Sequence, residues 1–288
     1  MASERDPPER DRTGRDLTGR DGAEPDGAGR DTTEPSNDAA WRAATAAAWR
    51  ERFGAPEALA AELRSRPLAR LAGLDMHLGP VAGRSLVHWM GSNGVKSVAL
   101  ALAGARVTVV DLSPGNADYA RELALAARVP LEYVVADVLR LPAELAGRRF
   151  ELALAELGIV HYFADLAPFV AVIARHLAPG GRFVLRDFHP VATKLLSFRG
   201  STAKVRKVRV TGDYFATELV EEDAPFSKFL PAAAAAPRVK LRRWTLGEVV
   251  TAFAAGGLRV RSLSEEPNRS SEVFDRGIPK TFTLVLEV

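Results

Sequence analysis

The chain has 288 residues, of which 47% are hydrophobic, so it is long enough to bury one sizeable core and a small second lobe. It contains no cysteine, which excludes disulfides, thiolate catalysis and cysteine-ligated zinc. No run of about 18 apolar residues occurs, and no apolar segment follows the N-terminal charges, so we expect neither a membrane span nor a secretory signal. The composition therefore predicts a cytoplasmic enzyme.

The net charge of +3 is unevenly distributed, because residues 1–38 carry −5 and the remainder carries +8. A basic body is typical of proteins that bind nucleic acid. However, the arginines are scattered through helix-like segments, and the tight basic cluster is confined to Lys204–Arg209. We therefore expect a solvated basic face rather than a nucleic-acid partner.

The first 37 residues have few large apolar side chains and repeat the unit Gly-Arg-Asp at 14–16, 19–21 and 29–31. Too little apolar surface is present to offset the entropy of ordering, so we predict a disordered tail. Helices are predicted over 38–80, beginning near Asn37 or Asp38. Trp41 and Trp49 lie eight positions apart on one helical face and should pack; a second helical segment, 56–71, is interrupted at Pro67.

From Ser85 the pattern alternates between strands and helices, which predicts a doubly wound α/β core over 81–190 with a mainly parallel sheet. Ligands bind such a sheet at the carboxyl ends of its strands. The predicted strands are 85–90, 106–110, 131–136, 150–156 and 182–187, and the predicted helices are 94–103, 114–127, 142–146 and 165–177.

The alternation stops after residue 190. Residues 191–243 read as an inserted cap, with a strand-like piece at Lys204–Thr211 and a Pro/Ala tract at 231–237. Residues 244–288 predict a helix over Trp244–Ala255, with Thr245 as its N-cap, and two strands over Leu258–Leu263 and Thr281–Val288. No crossover helix joins these strands, so we expect the last strand to run against the others.

The turn Gly91-Ser92-Asn93-Gly94 follows a predicted strand and opens a helix, where small residues allow backbone N–H groups to approach a ligand. Asp111 ends the second strand, 17 positions beyond Gly94, and suits a carboxylate that accepts hydrogen bonds from ribose hydroxyls. Asp137 and Val138 follow the third strand and suit an adenine, and Glu156 ends the fourth. The alternative interpretation is an ordinary turn followed by acidic helix caps.

Together these motifs resemble the class I S-adenosylmethionine-dependent methyltransferases, and the resemblance covers roughly residues 80–288. More narrowly, the segments GSNGVKSVALALAGA, DFHPVATK, GDYF, RRWTLGE and GIPKTFTL resemble a bacterial small-molecule type with GSNG in the glycine turn. The resembling segments are GSNG at 91–94, VTVVDLSP at 107–114, ADVL at 136–139, LGIVHYFADLAPF at 157–169, LAPGGRFVLRDFHP at 177–190 and the closing TFTLVLEV at 281–288.

The resemblance implies a Rossmann-like, mainly parallel seven-stranded sheet with an antiparallel last strand. It also implies S-adenosylmethionine as the cofactor, and transfer of its methyl group to an oxygen, nitrogen or carbon of a small-molecule acceptor. The cofactor-binding residues expected by this resemblance are Gly91, Ser92, Asn93, Gly94, Asp111, Leu112, Asp137, Val138, Glu156 and Leu157.

The glycine turn departs from the family pattern at three positions. The family places an acidic residue in the first strand and three alternating glycines in the turn, where this chain has His88, Met90, Ser92 and then Gly94. We therefore expect altered contacts to the methionine end of the cofactor, made by Ser92, Asn93 or Glu156.

Methyl transfer needs alignment of the acceptor, and a general base only where the acceptor must lose a proton. His189 and the nearby Asp187, after the fifth strand, are the expected catalytic groups. His161, Tyr162 and Tyr214 are expected to bind the acceptor, and Lys280 suits an anionic one. No short-spaced ligand pair is present, so we expect no metal.

Two other functions stay open at this stage. One is a nicotinamide-dependent oxidoreductase, although the G-x-G-x-x-G fingerprint is missing. The other is a degenerate methyltransferase fold with a binding or regulatory role, which the altered turn would suit. The oligomeric state is also open, a homodimer included.

Overall fold

A computed structural model describes residues 37–42, 45–199, 207–230, 236–267 and 277–288. The predicted tail over 1–37 lies outside this description except for Asn37, as do parts of the basic cluster and of the Pro/Ala tract. The α-helices are Asp38–Arg42 (α1), Thr45–Phe53 (α2), Pro56–Ser65 (α3), Leu74–Leu78 (α4), Val95–Leu102 (α5), Pro114–Ala127 (α6), Ala167–His176 (α7) and Leu246–Ala255 (α8). The strands are Ser85–Trp89 (β1), Arg106–Asp111 (β2), Glu132–Val135 (β3), Phe150–Glu156 (β4), Leu177–Phe188 (β5), Leu196–Arg199 (β6), Lys207–Val210 (β7), Leu219–Asp223 (β8), Arg238–Arg242 (β9), Arg259–Pro267 (β10) and Pro279–Glu287 (β11).

The main sheet has seven strands in the order β10-β11-β5-β4-β1-β2-β3. Strands β1 to β5 pair in parallel, and β11 runs antiparallel to both β5 and β10. This confirms the predicted doubly wound sheet and its antiparallel last strand. The strand order reverses beside β1, so the carboxyl ends of β1, β2 and β4 face a common crevice, the usual ligand position of such sheets.

Two apolar clusters cover the faces of the sheet. One lies under α2, α3, α5 and α6, and includes the fully buried Tyr119 and Leu123 of α6. The other lies under α7 and α8, and includes the fully buried Phe169 and Phe253. The β1 sequence SLVHW is buried on both faces after Ser85, as a central parallel strand requires.

Helix ends follow local sequence signals. Ser113 caps α6 by accepting the backbone N–H of Asn116, and Pro114 occupies the first helical position. Thr245 and Glu248 form a reciprocal capping box at the start of α8, which confirms Thr245 as its N-cap.

Some element predictions need correction. The helix predicted over 142–146 is a single 3₁₀ turn, Ala143–Leu145, because the left-handed Gly147 (φ +75°) ends it after one turn. The predicted helical segment 56–71 is α3 followed by a 3₁₀ turn, Pro67–Leu71, so the interruption at Pro67 is confirmed. At the predicted start of the helices, the Asn37 side-chain amide exchanges two hydrogen bonds (3.0 and 2.8 Å) with the backbone of Lys240 in β9.

The segment predicted as a cap, 191–243, contains two antiparallel strand pairs in its described parts, β6 with β7 and β8 with β9. The N-terminal helices pack onto the same side of the molecule as α5 and α6. Trp41 of α1 contacts Tyr162 and Phe226 with ring centroids at 5.7 and 5.2 Å, and Trp49 of α2 is buried. Both tryptophans thus pack as predicted.

Candidate active site at the carboxyl edge of the sheet

The turn after β1 keeps a glycine-like backbone without the glycines. Met90, Ser92 and Gly94 all have left-handed backbone, with φ of +52°, +50° and +73°. Left-handed backbone costs a residue with a side chain about 1–2 kcal/mol. Met90 and Ser92 therefore adopt the backbone conformations that glycines would adopt in the family turn. Gly91 does not have a left-handed backbone and does not replace either of them.

Gly91 and Gly94 are needed for close packing. A Cβ at Gly91 would lie 2.7 Å from a methyl group of Val109 and 3.0 Å from the His88 ring. A Cβ at Gly94 would lie 2.5 Å from the Cβ of Ala120 in α6. Because these two positions lack a Cβ, the turn packs directly against Val109 of β2 and Ala120 of α6. The backbone amides of the turn therefore lie close to the edge of the sheet.

Asp111 at the end of β2 holds this turn. Its carboxylate accepts the backbone N–H of Ser92 (2.9 Å), the backbone N–H of Ser113 (2.9 Å) and the side-chain amide of Asn116 (3.0 Å). Burial raises the pKa of Asp111, and these three hydrogen bonds oppose the rise. A carboxylate offers about four acceptor positions, so one position, on the oxygen facing Ser92, remains for a ligand hydroxyl.

Two further residues, which the sequence interpretation missed, complete this network. The Tyr133 hydroxyl donates to the Ser92 carbonyl (2.6 Å), so Asp111 binds the backbone N–H of Ser92 and Tyr133 binds its carbonyl. The Trp49 indole N–H donates to the side-chain oxygen of the fully buried Asn116 (2.6 Å). The side-chain N–H of Asn116 in turn donates to Asp111. Both links join elements far apart in sequence, so only the topology reveals them.

Asp137 lies after β3, at the same edge. Its carboxylate accepts the backbone N–H of Leu139 and pairs with Arg140, both at 2.9 Å. Val138 is buried in the cluster under α7. The arrangement is an Asx-type turn with a partly exposed carboxylate, and this leaves the expected contact of Asp137 with an adenine as a prediction.

Glu156 at the end of β4 pairs with Lys96 in the first turn of α5. The following Leu157 has left-handed backbone (φ +59°), and its N–H donates to the Arg186 carbonyl (2.7 Å). Its side chain is 43% exposed, so an apolar group is open to solvent directly after Glu156.

The expected catalytic groups have other partners. Asp187 is fully buried and accepts four backbone N–H groups, those of Gly158 (2.5 Å), Ile159 (3.0 Å), Val160 (3.1 Å) and Phe188 (2.7 Å). These donors fill the carboxylate, so Asp187 fixes the loop after β4 and has no position left for a substrate proton.

His189 is buried, and both of its ring nitrogens are engaged. Nδ1 accepts the backbone N–H of Val191 (3.1 Å), which leaves Nε2 to donate to Glu265 (2.6 Å). With this tautomer the imidazole has no free lone pair. In this geometry it connects the end of β5 to β10, and a role as general base would require Nδ1 to give up its contact with Val191.

The three residues expected to bind the acceptor each have a different partner within the protein. The buried His161 contacts the Arg242 carbonyl through Nδ1 (3.2 Å), and the Tyr162 ring packs edge-on against Trp41. Burial, reinforced by Asp187 and Asp111, raises the pKa of Tyr162, so its hydroxyl stays neutral beside these carboxylates. The Tyr214 hydroxyl instead accepts the N–H of Leu246 at the start of α8 (3.3 Å).

Within the described ranges, no group of three or more histidine and carboxylate side chains could hold a metal ion. No helix in those ranges is both long and apolar enough to cross a membrane.

Comparison with known proteins finds a family match over the residues that form this edge of the sheet. Residues 90–185, a third of the chain, match the family model described as a methyltransferase domain, and the match begins at the turn and ends in β5. The matched range contains the turn, Asp111, Asp137 and Glu156.

Individual relatives agree with this assignment. Over 104 residues the chain is 39% identical to a ubiquinone biosynthesis O-methyltransferase of Methylobacterium sp. (strain 4-46); the match covers 36% of this chain and only 41% of that relative. A methyltransferase of Mesorhizobium loti, described as S-adenosylmethionine dependent, has the same fold (TM-score 0.56, 22% identity, 76% of this chain and 98% of that one). So does the glycopeptide N-methyltransferase MtfA, solved with S-adenosylmethionine (TM-score 0.50, 18% identity, 75% and 92%).

Proposed function

We propose that the chain is an S-adenosylmethionine-dependent methyltransferase that acts on a small molecule. The observation that carries the proposal is the pairing of Asp111 with the Ser92 amide across a turn of left-handed residues. A carboxylate with one unused acceptor position, beside a small-residue turn at a helix start, suits a ribose hydroxyl of an adenosine-bearing ligand. The bound cofactor would supply a methyl carbon on a positively charged sulfur; an acceptor atom in line with the carbon–sulfur bond would take that carbon, and the sulfur would leave as part of S-adenosylhomocysteine.

The residues of this chain contribute mainly position. Asp111, Tyr133 and Asn116 fix the turn, while Asp187 fixes the loop after β4, so the two sides of the crevice are rigid before any ligand arrives. Proximity and alignment alone accelerate a displacement strongly. Because His189 and Asp187 are engaged with the protein, we propose that they position the loops. Under this proposal the acceptor atom needs no base from these two side chains.

We place the acceptor under the N-terminal helices and the β8–β9 pair. The edge-on contact of Trp41 with Tyr162 and the contact of Trp41 with Phe226 support this placement, because they bring α1 and the cap to the loop after β4. Aromatic walls of this kind suit a flat or apolar small molecule.

Calorimetry tests the proposal with S-adenosylhomocysteine, the demethylated product, as the ligand. We expect binding to the wild type and a loss of about tenfold or more for Asp111→Ala, since a hydrogen bond to a charged group is worth about 1.5–3 kcal/mol. The control is Glu132→Gln, which weakens hydrogen bonds to Thr108 and Arg148 at the start of β3 and should leave affinity unchanged.

The same titration separates the alternatives. Binding of NADH in place of S-adenosylhomocysteine would overturn the proposal in favour of an oxidoreductase. Binding of S-adenosylhomocysteine without methyl transfer to any member of an acceptor panel would support the degenerate, ligand-binding function.

A further inference from the structure

The ion pair between Lys96 and Glu156 lies at the sheet edge on the side away from Asp137. Lys96 is in the first turn of α5, directly after the turn that follows β1, and Glu156 is the last residue of β4. The Lys96 side chain is 20% exposed and that of Glu156 is 10% exposed. The pair is therefore largely removed from water, and each side chain keeps a small exposed fraction.

Packing alone gives little reason for this pair. The first turn of a helix carries a partial positive charge, so a lysine there is electrostatically unfavourable. Removing two opposite charges from water costs free energy that their attraction often only balances. A hydrophobic pair would join α5 to β4 at lower cost, so the charges themselves point to a charged ligand.

His88 lies beside this pair and is neutral. Its Nδ1 is 2.8 Å from the Ser97 hydroxyl, while its buried Nε2 has no hydrogen-bond partner within the described ranges. Burial, with repulsion from Lys96, lowers the pKa of His88 to about 3. The residue at this position of β1 therefore supplies no negative charge, and Glu156 is the neighbouring carboxylate that can.

The order of the strands sets the direction of a bound cofactor. Across the edge, the sequence is β3, β2, β1, β4, which carries Asp137, Asp111, the turn and then Glu156. With the ribose at Asp111 and the adenine toward Asp137, the rest of the molecule extends over β1 toward β4. That remaining part of S-adenosylmethionine is an amino acid with one ammonium and one carboxylate group.

We propose that Lys96 and Glu156 form the subsite for this amino-acid end, Lys96 binding its carboxylate and Glu156 its ammonium group. This inference rests on the proposed function. Without ligand the two side chains neutralise each other, and with ligand each exchanges its partner for the opposite charge of the zwitterion. The exchange keeps the local charge balanced, and the neutral His88 borders the subsite without competing for the ammonium group.

Three probes that share the adenosine part test this assignment by calorimetry. S-adenosylhomocysteine carries the amino-acid end, 5′-methylthioadenosine lacks it, and decarboxylated S-adenosylmethionine lacks only the carboxylate. We expect Lys96→Met and Glu156→Gln to weaken S-adenosylhomocysteine about tenfold or more, as for other charge-assisted hydrogen bonds. The affinity of each variant for 5′-methylthioadenosine should stay within about twofold of the wild-type value. A twofold change corresponds to a binding free energy difference of RT ln 2, about 0.4 kcal/mol.

The carboxylate contact has its own readout. With S-adenosylmethionine as a fourth probe, the wild type should prefer it over its decarboxylated form, and Lys96→Met should lose that preference. Arg84→Met is the matched control, because Arg84, just before β1, pairs with Glu151 near the start of β4, at the opposite edge of the sheet. It should leave all three affinities unchanged.

Each result distinguishes the inference from its basis. Equal loss of all three probes in Lys96→Met would show that the pair only joins α5 to β4, and would overturn the inference. A wild type that binds the three probes equally would overturn it without any variant, even if the variants fold poorly. Failure of the wild type to bind any of the three would instead overturn the proposed function.

Discussion

At the scale of single residues, the turn after β1 shows why a family pattern can be kept when its residues change. Met90 and Ser92 adopt the left-handed conformation that glycine adopts most easily. Ser92 is held there by the Asp111 carboxylate on its N–H and by the Tyr133 hydroxyl on its carbonyl. These two hydrogen bonds offset the strain, so the turn retains its shape without a glycine at 92.

The cost of this conformation can be measured at Ser92. We expect Ser92→Val to lower the free energy of unfolding by more than about 1 kcal/mol, because β-branched residues are rare with positive φ. Ser92→Gly should be neutral or stabilising by up to about 1 kcal/mol, since relief of strain opposes the greater chain entropy of glycine. Urea unfolding of both variants measures the two values. A Ser92→Gly protein less stable than Ser92→Val would contradict the assigned backbone.

Gly94 combines strain with close packing. We expect Gly94→Ala to lose about 2–5 kcal/mol of stability, the sum of the left-handed cost and of overpacking against Ala120. Gly147→Ala is the matched control, because its φ is +75° and no atom lies within 4 Å of the added Cβ. Its loss should be only the conformational part, about 1–2 kcal/mol. Similar losses in the two variants would show that α6 does not press on the turn.

His88 predicts a pH dependence with a definite sign. Below its ordinary value of 6.5, an unfolded histidine binds a proton that the buried His88 does not accept until its pKa of about 3. The free energy of unfolding should therefore fall as pH decreases through this window, by about 1.4 kcal/mol per pH unit from this residue.

The comparison that isolates this effect uses His88→Asn, whose side chain does not titrate. Urea unfolding of both proteins between pH 6 and 4 should give a shallower slope for the variant. Parallel slopes would mean that His88 is protonated in the folded protein.

At the scale of elements, the N-terminal helices are connected to the candidate cofactor site through one buried chain of hydrogen bonds. Trp49 of α2 donates to Asn116 of α6, and Asn116 donates to Asp111 of β2. Asp111 in turn holds Ser92. Packing of α2 and orientation of the Asp111 carboxylate are therefore coupled.

We expect Trp49→Phe to weaken S-adenosylhomocysteine binding as well as stability, because Asn116 loses the donor that orients its amide. The control is Phe53→Leu in the same helix, whose ring lies 6.1 Å from that of Trp49 without a polar link to Asn116. It should lower stability and leave affinity unchanged. Calorimetry and thermal unfolding report the two quantities, and an affinity that falls equally in both variants would contradict the coupling.

At the scale of the whole molecule, local sequence patterns predict the sheet well and the site only in part. The apolar run in β1 and the uncrossed connection into β11 predict strand positions and direction because they reflect burial and chain geometry. Asp111, Asp137 and Glu156 are found because the carboxyl ends of parallel strands share an edge.

Other features depend on contacts between distant segments. The Lys96–Glu156 pair and the Tyr133 contact to Ser92 cannot be inferred from spacing alone. Lys96 did carry a local signal, a cation in the first helical turn. For His189 and Asp187, residue type and position favour catalysis, but spacing does not reveal that Glu265 and backbone donors engage them. The 142–146 segment is helical in composition but too short before Gly147 to exceed one turn.

The most direct measurement of the central claim is a crystal structure of the chain with S-adenosylhomocysteine bound. We expect a ribose hydroxyl on the Asp111 oxygen that faces Ser92, the adenine near Asp137, and the amino-acid end at Lys96 and Glu156. Clear density for the ligand elsewhere, or at this edge with its amino-acid end toward Asp137, would contradict the account.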